Sequence, residues 1–297
     1  MTESDFLERL RALPLHPGAA DLRDDTATLG GLTITTDTLV EGVHFLPTDP
    51  PGDVAWKLVA TNLSDLAAKG AVPEGVLLNY PLGDDAWDAA FLTGFADALA
   101  AFTAPLIGGD TVSLPAGALR VLTLTAIGRD AAAPPRSGAR EGDALWVTGS
   151  IGDAGAGLAI AQGHPGPPDL LAAYRRPRPR LAEGRALAPH AHAMMDVSDG
   201  LLIDAHRMAV ASALAVAIDL AAIPLSPAYR AHRGDDRAAR LTAATAGDDY
   251  ELLFAAPAGW TPPVLATPIG TFARGAGLTL HERGLPVPLL GRLGFEH

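Results

Sequence analysis

Stretches with strand periodicity alternate with stretches of helix periodicity along this chain, once before and once after a segment at 130–142 that carries two prolines, serine and glycine. Residues 32–40 (LTITTDTLV) alternate and are rich in β-branched side chains, which predicts a strand. VLLNYPL at 76–82 and LRVLTLTAIG at 119–128 read the same way. Apolar residues recur at helical spacing over 3–13, 53–69 and 85–103. Beyond 142 come a strand at 144–148, a glycine-rich turn, a helix at 200–213, and strands near 215–220, 251–256 and 264–270. The pattern predicts an α/β (α+β) chain of two domains divided in the linker, 1–135 and 136–297. No short-period repeat is present, so a solenoid or propeller is not expected.

At 297 residues and 48% hydrophobic content, each half is long enough to bury its own core. The net charge of −12 opposes a nucleic-acid partner, which needs a basic face. With no cysteine in the chain, disulfides, zinc–thiolate sites and cysteine nucleophiles are excluded. The first ten residues form an acidic amphipathic pattern rather than a signal peptide, and Asp88 and Asp97 interrupt the longest apolar candidate for a membrane span. A cytoplasmic location with no membrane association is the expectation.

Common phosphate-binding motifs are absent. The only lysines are Lys57 and Lys69, neither follows a glycine, and so no Walker loop exists. Neither HRD nor DFG occurs, and the glycines at 149, 152, 155 and 157 do not make GxGxxG. A series of aspartates stands out instead, at strand ends and helix starts: Asp24–Asp25, Asp37, Asp65, Asp110, Asp196, Asp199 and Asp248–Asp249. Any one of them serves equally well as a helix cap or turn residue. Asp65 lies within an apolar helical stretch between Leu63 and Leu66. A carboxylate facing a core there is costly unless paired or bound to metal, while an exposed helix face is the alternative. Asp37 sits similarly in its strand, and Gly108–Gly109 before Asp110 suits either close approach to a ligand or a tight turn. DVSDGLLID at 196–204 sets two carboxylates and a hydroxyl before a helix N-terminus whose amides favour an anion. The loop fails the calcium-hand spacing, and hard oxygen ligands without cysteine or paired histidines point to magnesium. The segment YRRPRPR at 174–180 reads either as an electrostatic feature beside a nucleotide or as an exposed loop.

Eight strings occur in order: DDTATL, TTDTLVEGVHF, NLSDLAAKGA, LIGGDT, RSGAREGD, VTGSIGDAGAGLAI, DVSDGLLID and GDDYELLF. Together they resemble the thiamine-monophosphate kinase family of the aminoimidazole ribonucleotide synthetase-like superfamily, over nearly the whole chain from about residue 20. The resemblance implies an N-terminal α/β domain that pairs across a homodimer into a β-barrel-like sheet, with a C-terminal α/β domain packed against it. It implies ATP and thiamine monophosphate as substrates, several Mg2+ ions, and direct phosphoryl transfer with no phosphoenzyme. It further implies Asp25, Asp37, Asp65, Asp110, Asp196 and Asp199 as metal ligands, helped by Thr35 and Thr36 near the phosphates. Asp110 and Asp199 would be catalytic. Thr35, Thr36, Gly109, Asp110, Arg136 and Ser198 would contact ATP, and His44, Asp248 and Phe295 the thiamine phosphate. Other ATP-dependent members of the superfamily, or a non-catalytic nucleotide- or metal-binding relative, are the rival readings; the lack of cysteine argues against the members that need one.

Overall fold

The computed structural model describes residues 3–115, 117–129, 133–289 and 291–296. The N-terminal half runs α1 (Glu3–Arg11), β1 (Ala27–Leu29), β2 (Leu32–Val40), α2 (Pro51–Ala68), β3 (Val72–Leu82), α3 (Asp85–Phe102), β4 (Leu106–Ser113) and β5 (Val121–Arg129). The C-terminal half continues with β6 (Ala144–Thr148), α4 (Asp153–Ala161), α5 (Pro168–Arg175), α6 (Leu181–Leu187), β7 (Ala193–Asp196), α7 (Leu201–Ala211) and β8 (Ala215–Asp219). It ends with α8 (Pro227–Arg233), α9 (Arg237–Thr245), β9 (Leu252–Ala256), β10 (Ala266–Ala273), β11 (Gly277–Glu282) and β12 (Leu285–Val287). Positions 130–132 of the expected linker lie outside the described residues.

Two sheets result, one of five strands in the order β1-β2-β5-β3-β4 and one of seven in the order β12-β11-β8-β10-β6-β9-β7. The first sheet is open in the single chain, so the barrel-like sheet expected of a pair of copies is not seen in it. Alternation in β5 sends Leu122, Leu124 and Ala126 inward, where they meet Leu58, Leu63 and Leu66 of α2 and Phe91 and Phe95 of α3. Each buried leucine contributes roughly 2 kcal/mol of transfer free energy. The helices are delimited by local chemistry: Pro51 opens α2, the Asp84 side chain accepts from Trp87 N at the start of α3, and Thr103 in the left-handed region (φ 53°) ends it.

The long helix α2 is common to both halves. Its Ala67 and Ala68 pack against Leu187, Ala188, Met194, Leu252 and Phe254 of the second half. Gly184 of α6 lies so close that a Cβ there would meet the Ala67 carbonyl oxygen at 2.0 Å. The arginine segment completes this junction. Tyr174 donates to Asp49 Oδ2 (2.9 Å), Arg175 to Asp49 Oδ1 (3.2 Å) and Arg176 to Asp53 (2.5 Å), while Trp56 Nε1 donates to the Pro177 carbonyl (2.9 Å). Arg180 turns back to the buried Glu251 with a two-pronged pair at 2.5 and 2.7 Å. Although Arg176 and Arg178 stay exposed, the segment is not a free basic patch; it straps the C-terminal half onto the start of α2. Among the described residues no helix is long and apolar enough to cross a membrane.

Candidate active site

A cleft of about 1300 Å³ opens beside α2 and is walled by both halves. Asp25, Thr35, Thr36, Asp37, His44, Asp65, Arg136, Asp196, Ser198, Asp199, Asp248 and Phe295 all line it, although they are spread over most of the chain. Gly109 and Asp110 do not line it. They lie on β4, an exposed edge strand, where Gly109 has φ 151° and a Cβ would meet the Leu78 carbonyl oxygen at 1.9 Å, so close strand pairing accounts for the glycine.

Asp25, Asp65 and Asp196 converge on one point, each offering a carboxylate oxygen with all three within 4.8 Å of one another. Three polar side chains hold this geometry. Thr35 Oγ1 donates to Asp65 Oδ2 (2.5 Å), Ser64 Oγ donates to Asp196 Oδ2 (2.5 Å), and Asn62 accepts from the Asp37 backbone N–H (3.0 Å). Asn62, Ser64 and Asp65 are close neighbours on α2, so one helix fixes the register of β2 and of the end of β7. Thr36 instead donates to the Leu124 carbonyl across the sheet.

Electrostatically the cluster is short of positive charge. Burial, followed by the charges of Asp37, Asp196 and Asp25, pushes Asp65 well above the ordinary carboxylate value, against a small lowering by Thr35. Asp37 rises to about 6 from burial and the charges of Asp25 and Asp199, and Asp196 to about 8 from burial and Asp25 against a lowering by Ser64. Asp25 differs. Burial would raise it, but Lys69 and Arg136 outweigh that and hold it at about 2. Lys69 Nζ is buried against Asp24 (2.5 Å) and Asp25 (3.1 Å), while Arg136 grips the other Asp25 oxygen. Asp25 Oδ2 is nonetheless left without a hydrogen bond of good geometry. Largely sheltered carboxylates of this kind, hard in chemistry and only partly neutralised, fit a divalent cation such as Mg2+.

The DVSDG loop corrects one expectation. The backbone N–H groups of Ser198, Asp199 and Gly200 all donate to Asp204 Oδ2 (3.1–3.2 Å), so the anion they bind is the chain's own carboxylate. Arg207 pairs with Asp199 and with Asp204 (2.9 Å) and fixes the loop from outside. Asp249 is structural, accepting from Gly152 N at the start of α4 (2.9 and 3.0 Å).

At the far end, the Val40 N–H donates to His44 Nδ1 (3.0 Å), which selects the tautomer protonated on Nε2 in the neutral ring. Asp248 and Tyr250 both take left-handed backbone (φ 68° and 51°), and the Tyr250 hydroxyl donates to Asp248 Oδ1 (2.9 Å). Half-exposed Phe295 is tied in by its N–H, which donates to the Asp199 carbonyl (2.9 Å).

Comparison with known proteins agrees with this layout. Residues 23–129 match the N-terminal domain of the AIR synthase related proteins and residues 140–259 match their C-terminal domain. The thiamine-monophosphate kinase of Caulobacter vibrioides is 39% identical, with 100% of this chain and 91% of that protein covered. The chain belongs to the thiamine-monophosphate kinase family. The Escherichia coli K12 member is 42% identical over 85% of this chain and 80% of its own length. A solved member of the family, AaThiL complexed with AMPPCP and TMP, superposes with a TM-score of 0.88 at 28% identity, covering 100% of this chain and 97% of that one.

Sequence reasoning missed several residues that this thiamine-monophosphate kinase family fold puts at the cleft or directly beneath it, among them Asn62, Ser64, Lys57, Lys69 and Tyr250. Lys57 carried a usable signal, because a lysine between Trp56 and Leu58 in an apolar helix faces the same burial penalty as Asp65. Lys69 reads as an ordinary cation at a helix end, and only the fold brings Asp24 and Asp25 to it.

Proposed function

We propose that this chain transfers the γ-phosphoryl group of ATP to the phosphate of thiamine monophosphate, giving thiamine diphosphate and ADP. The observation that carries the reading is the cleft itself: a hard carboxylate cluster at one position and the Asp248–His44 constellation at another, in a family whose solved member binds an ATP analogue and TMP. Asp25, Asp65 and Asp196 would hold Mg2+, with Asp37 and Asp199 beside them. When bound, the metal screens the charge between the two phosphates and draws charge from the group in transfer. The chain's own residues do the rest. Thr35 and Ser64 orient Asp65 and Asp196, Lys69 and Arg136 keep Asp25 ionised, and Asp248, His44 and Phe295 hold the organic end of the acceptor. Because an acceptor phosphate is already ionised near neutral pH, alignment replaces general-base catalysis.

We also infer a homodimer. The edge strand β4 exposes Leu106, Ile107 and Val112, and the neighbouring β3 exposes Val72 and Leu82. An exposed apolar edge of this kind calls for a cover. A second copy laid against it would cover Gly109 and Asp110 as well, which gives the two residues outside the single-chain cleft a place in the assembly.

The metal assignment has a test independent of turnover. Asp37, Asp65 and Asp196 are raised in the fold above the ordinary 3.8, so between that value and about 8 the native state binds more protons than the unfolded chain. Stability of the metal-free protein therefore falls as pH rises through this window. Mg2+ must displace those protons, so it is expected to raise the melting temperature more at pH 8 than at pH 6, with potassium chloride of matched ionic strength as control. Equal shifts at both pH values, or none, would remove the cluster from the metal site.

A further inference from the structure

Lys57 is the one ammonium buried at the substrate end of the cleft among the described residues. Its side chain is 3% exposed, against 32% for its partner Asp248. Placing a lysine there costs several kcal/mol unless its charge is met. Three groups meet it: Asp248 Oδ2 at 2.6 Å, the His44 carbonyl at 3.0 Å, and the face of Tyr174 at 4.3 Å from the ring centroid. His44 and Asp248 come from different halves of the chain, so one ammonium joins the two residues that the family resemblance assigns to substrate.

Asp248 is over-determined by its surroundings. Lys57 takes one carboxylate oxygen, Tyr250 donates to the other, and the backbone is held in the left-handed region with its N–H on the Ser198 carbonyl (2.8 Å). The carboxylate still borders the cleft and keeps acceptor capacity for an N–H donor. Along α2, Lys57, Thr61 and Asp65 recur at intervals of four and share one face, the Lys57 backbone lying about 12 Å along the helix axis from that of Asp65. A substrate whose phosphate sits at the cluster and whose amino-bearing heteroaromatic ring reaches along this face of the cleft would present an exocyclic amine to Asp248.

We propose that Lys57 is a positioning residue for substrate recognition: it fixes the Asp248 carboxylate and the His44 backbone as one receptor for the amino-bearing ring of the acceptor. The inference rests on the kinase reading and adds to it a residue that acts through Asp248. A merely structural pin between the halves, such as Arg176 on Asp53, would affect both substrates alike.

The test is steady-state kinetics and calorimetry on Lys57→Met, varying thiamine monophosphate and ATP separately. KM and Kd for thiamine monophosphate are expected to rise about tenfold or more, with KM for ATP held within about twofold. On an Asp248→Ala background the same substitution should add clearly less than it does alone, because the carboxylate through which it acts is gone and only its bond to the His44 carbonyl remains. Lys57→Arg keeps the positive charge but not the point geometry of the ammonium and should raise the same KM severalfold, so it serves if Lys57→Met does not fold. Unchanged constants for thiamine monophosphate, equal losses for both substrates, or full additivity with Asp248→Ala would each overturn the proposal. Absence of wild-type turnover would instead sink the kinase reading and take this inference with it.

Discussion

Asp65→Asn is expected to reduce phosphoryl transfer by about a thousandfold or more while leaving the metal-free protein as stable as the wild type or more so. The two halves of this result share one cause. Asp65 is part-buried among Asp37, Asp196 and Asp25, and its ionised form is disfavoured in the absence of a cation. An amide keeps an oxygen able to accept from Thr35, removes the repulsion, and is a poor ligand for magnesium. Urea denaturation at pH 8 without metal, run beside a turnover assay, reads both effects. Activity within about tenfold of wild type would remove Asp65 from the metal set, and a large loss of stability would return it to a structural role.

The opposite signature is expected at Lys69. Its ammonium is buried between Asp24 and Asp25 and donates to the Pro134 and Met194 carbonyls (3.3 and 3.1 Å). Lys69→Met keeps most of the volume and strands two carboxylates, which costs about 3–5 kcal/mol and lowers the melting temperature by roughly 10 °C. Asp25, held at about 2, contributes stability that is present above the ordinary 3.8 and is lost as pH falls toward 2. Without Lys69 that contribution shrinks, so the variant's deficit should be larger at pH 7 than at pH 3. Scanning calorimetry at the two values measures it, and an unchanged melting temperature would contradict the ion-pair account.

Much of the architecture was legible in the chain because local pattern and final fold agree. The alternation in 32–40 became β2, the strand placed at 144–148 became β6, and the apolar helix with an aspartate inside it became α2 with Asp65 facing the cleft. Twelve of the fourteen candidate site residues share one cavity for a related reason, since each sits in a short polar string between apolar segments whose place the fold dictates. What was not legible depends on contacts between distant segments. No local pattern shows that Asp204 occupies the amides of its own loop, that YRRPRPR is drawn onto Asp49 and Asp53, or that two lone lysines neutralise aspartates far along the chain. Asp110 illustrates the other limit, because an edge strand acquires its environment only when something covers the edge.

The most direct test of the central claim is to follow the γ-phosphoryl group. The purified chain is incubated with Mg2+, thiamine monophosphate and ATP labelled at the γ position, and the products are separated. The account predicts ADP and thiamine diphosphate in equal amounts, with the label on the terminal phosphate of thiamine diphosphate and none transferred once the metal is chelated. ADP formed without labelled thiamine diphosphate, or label remaining on ATP despite bound nucleotide and metal, would contradict it.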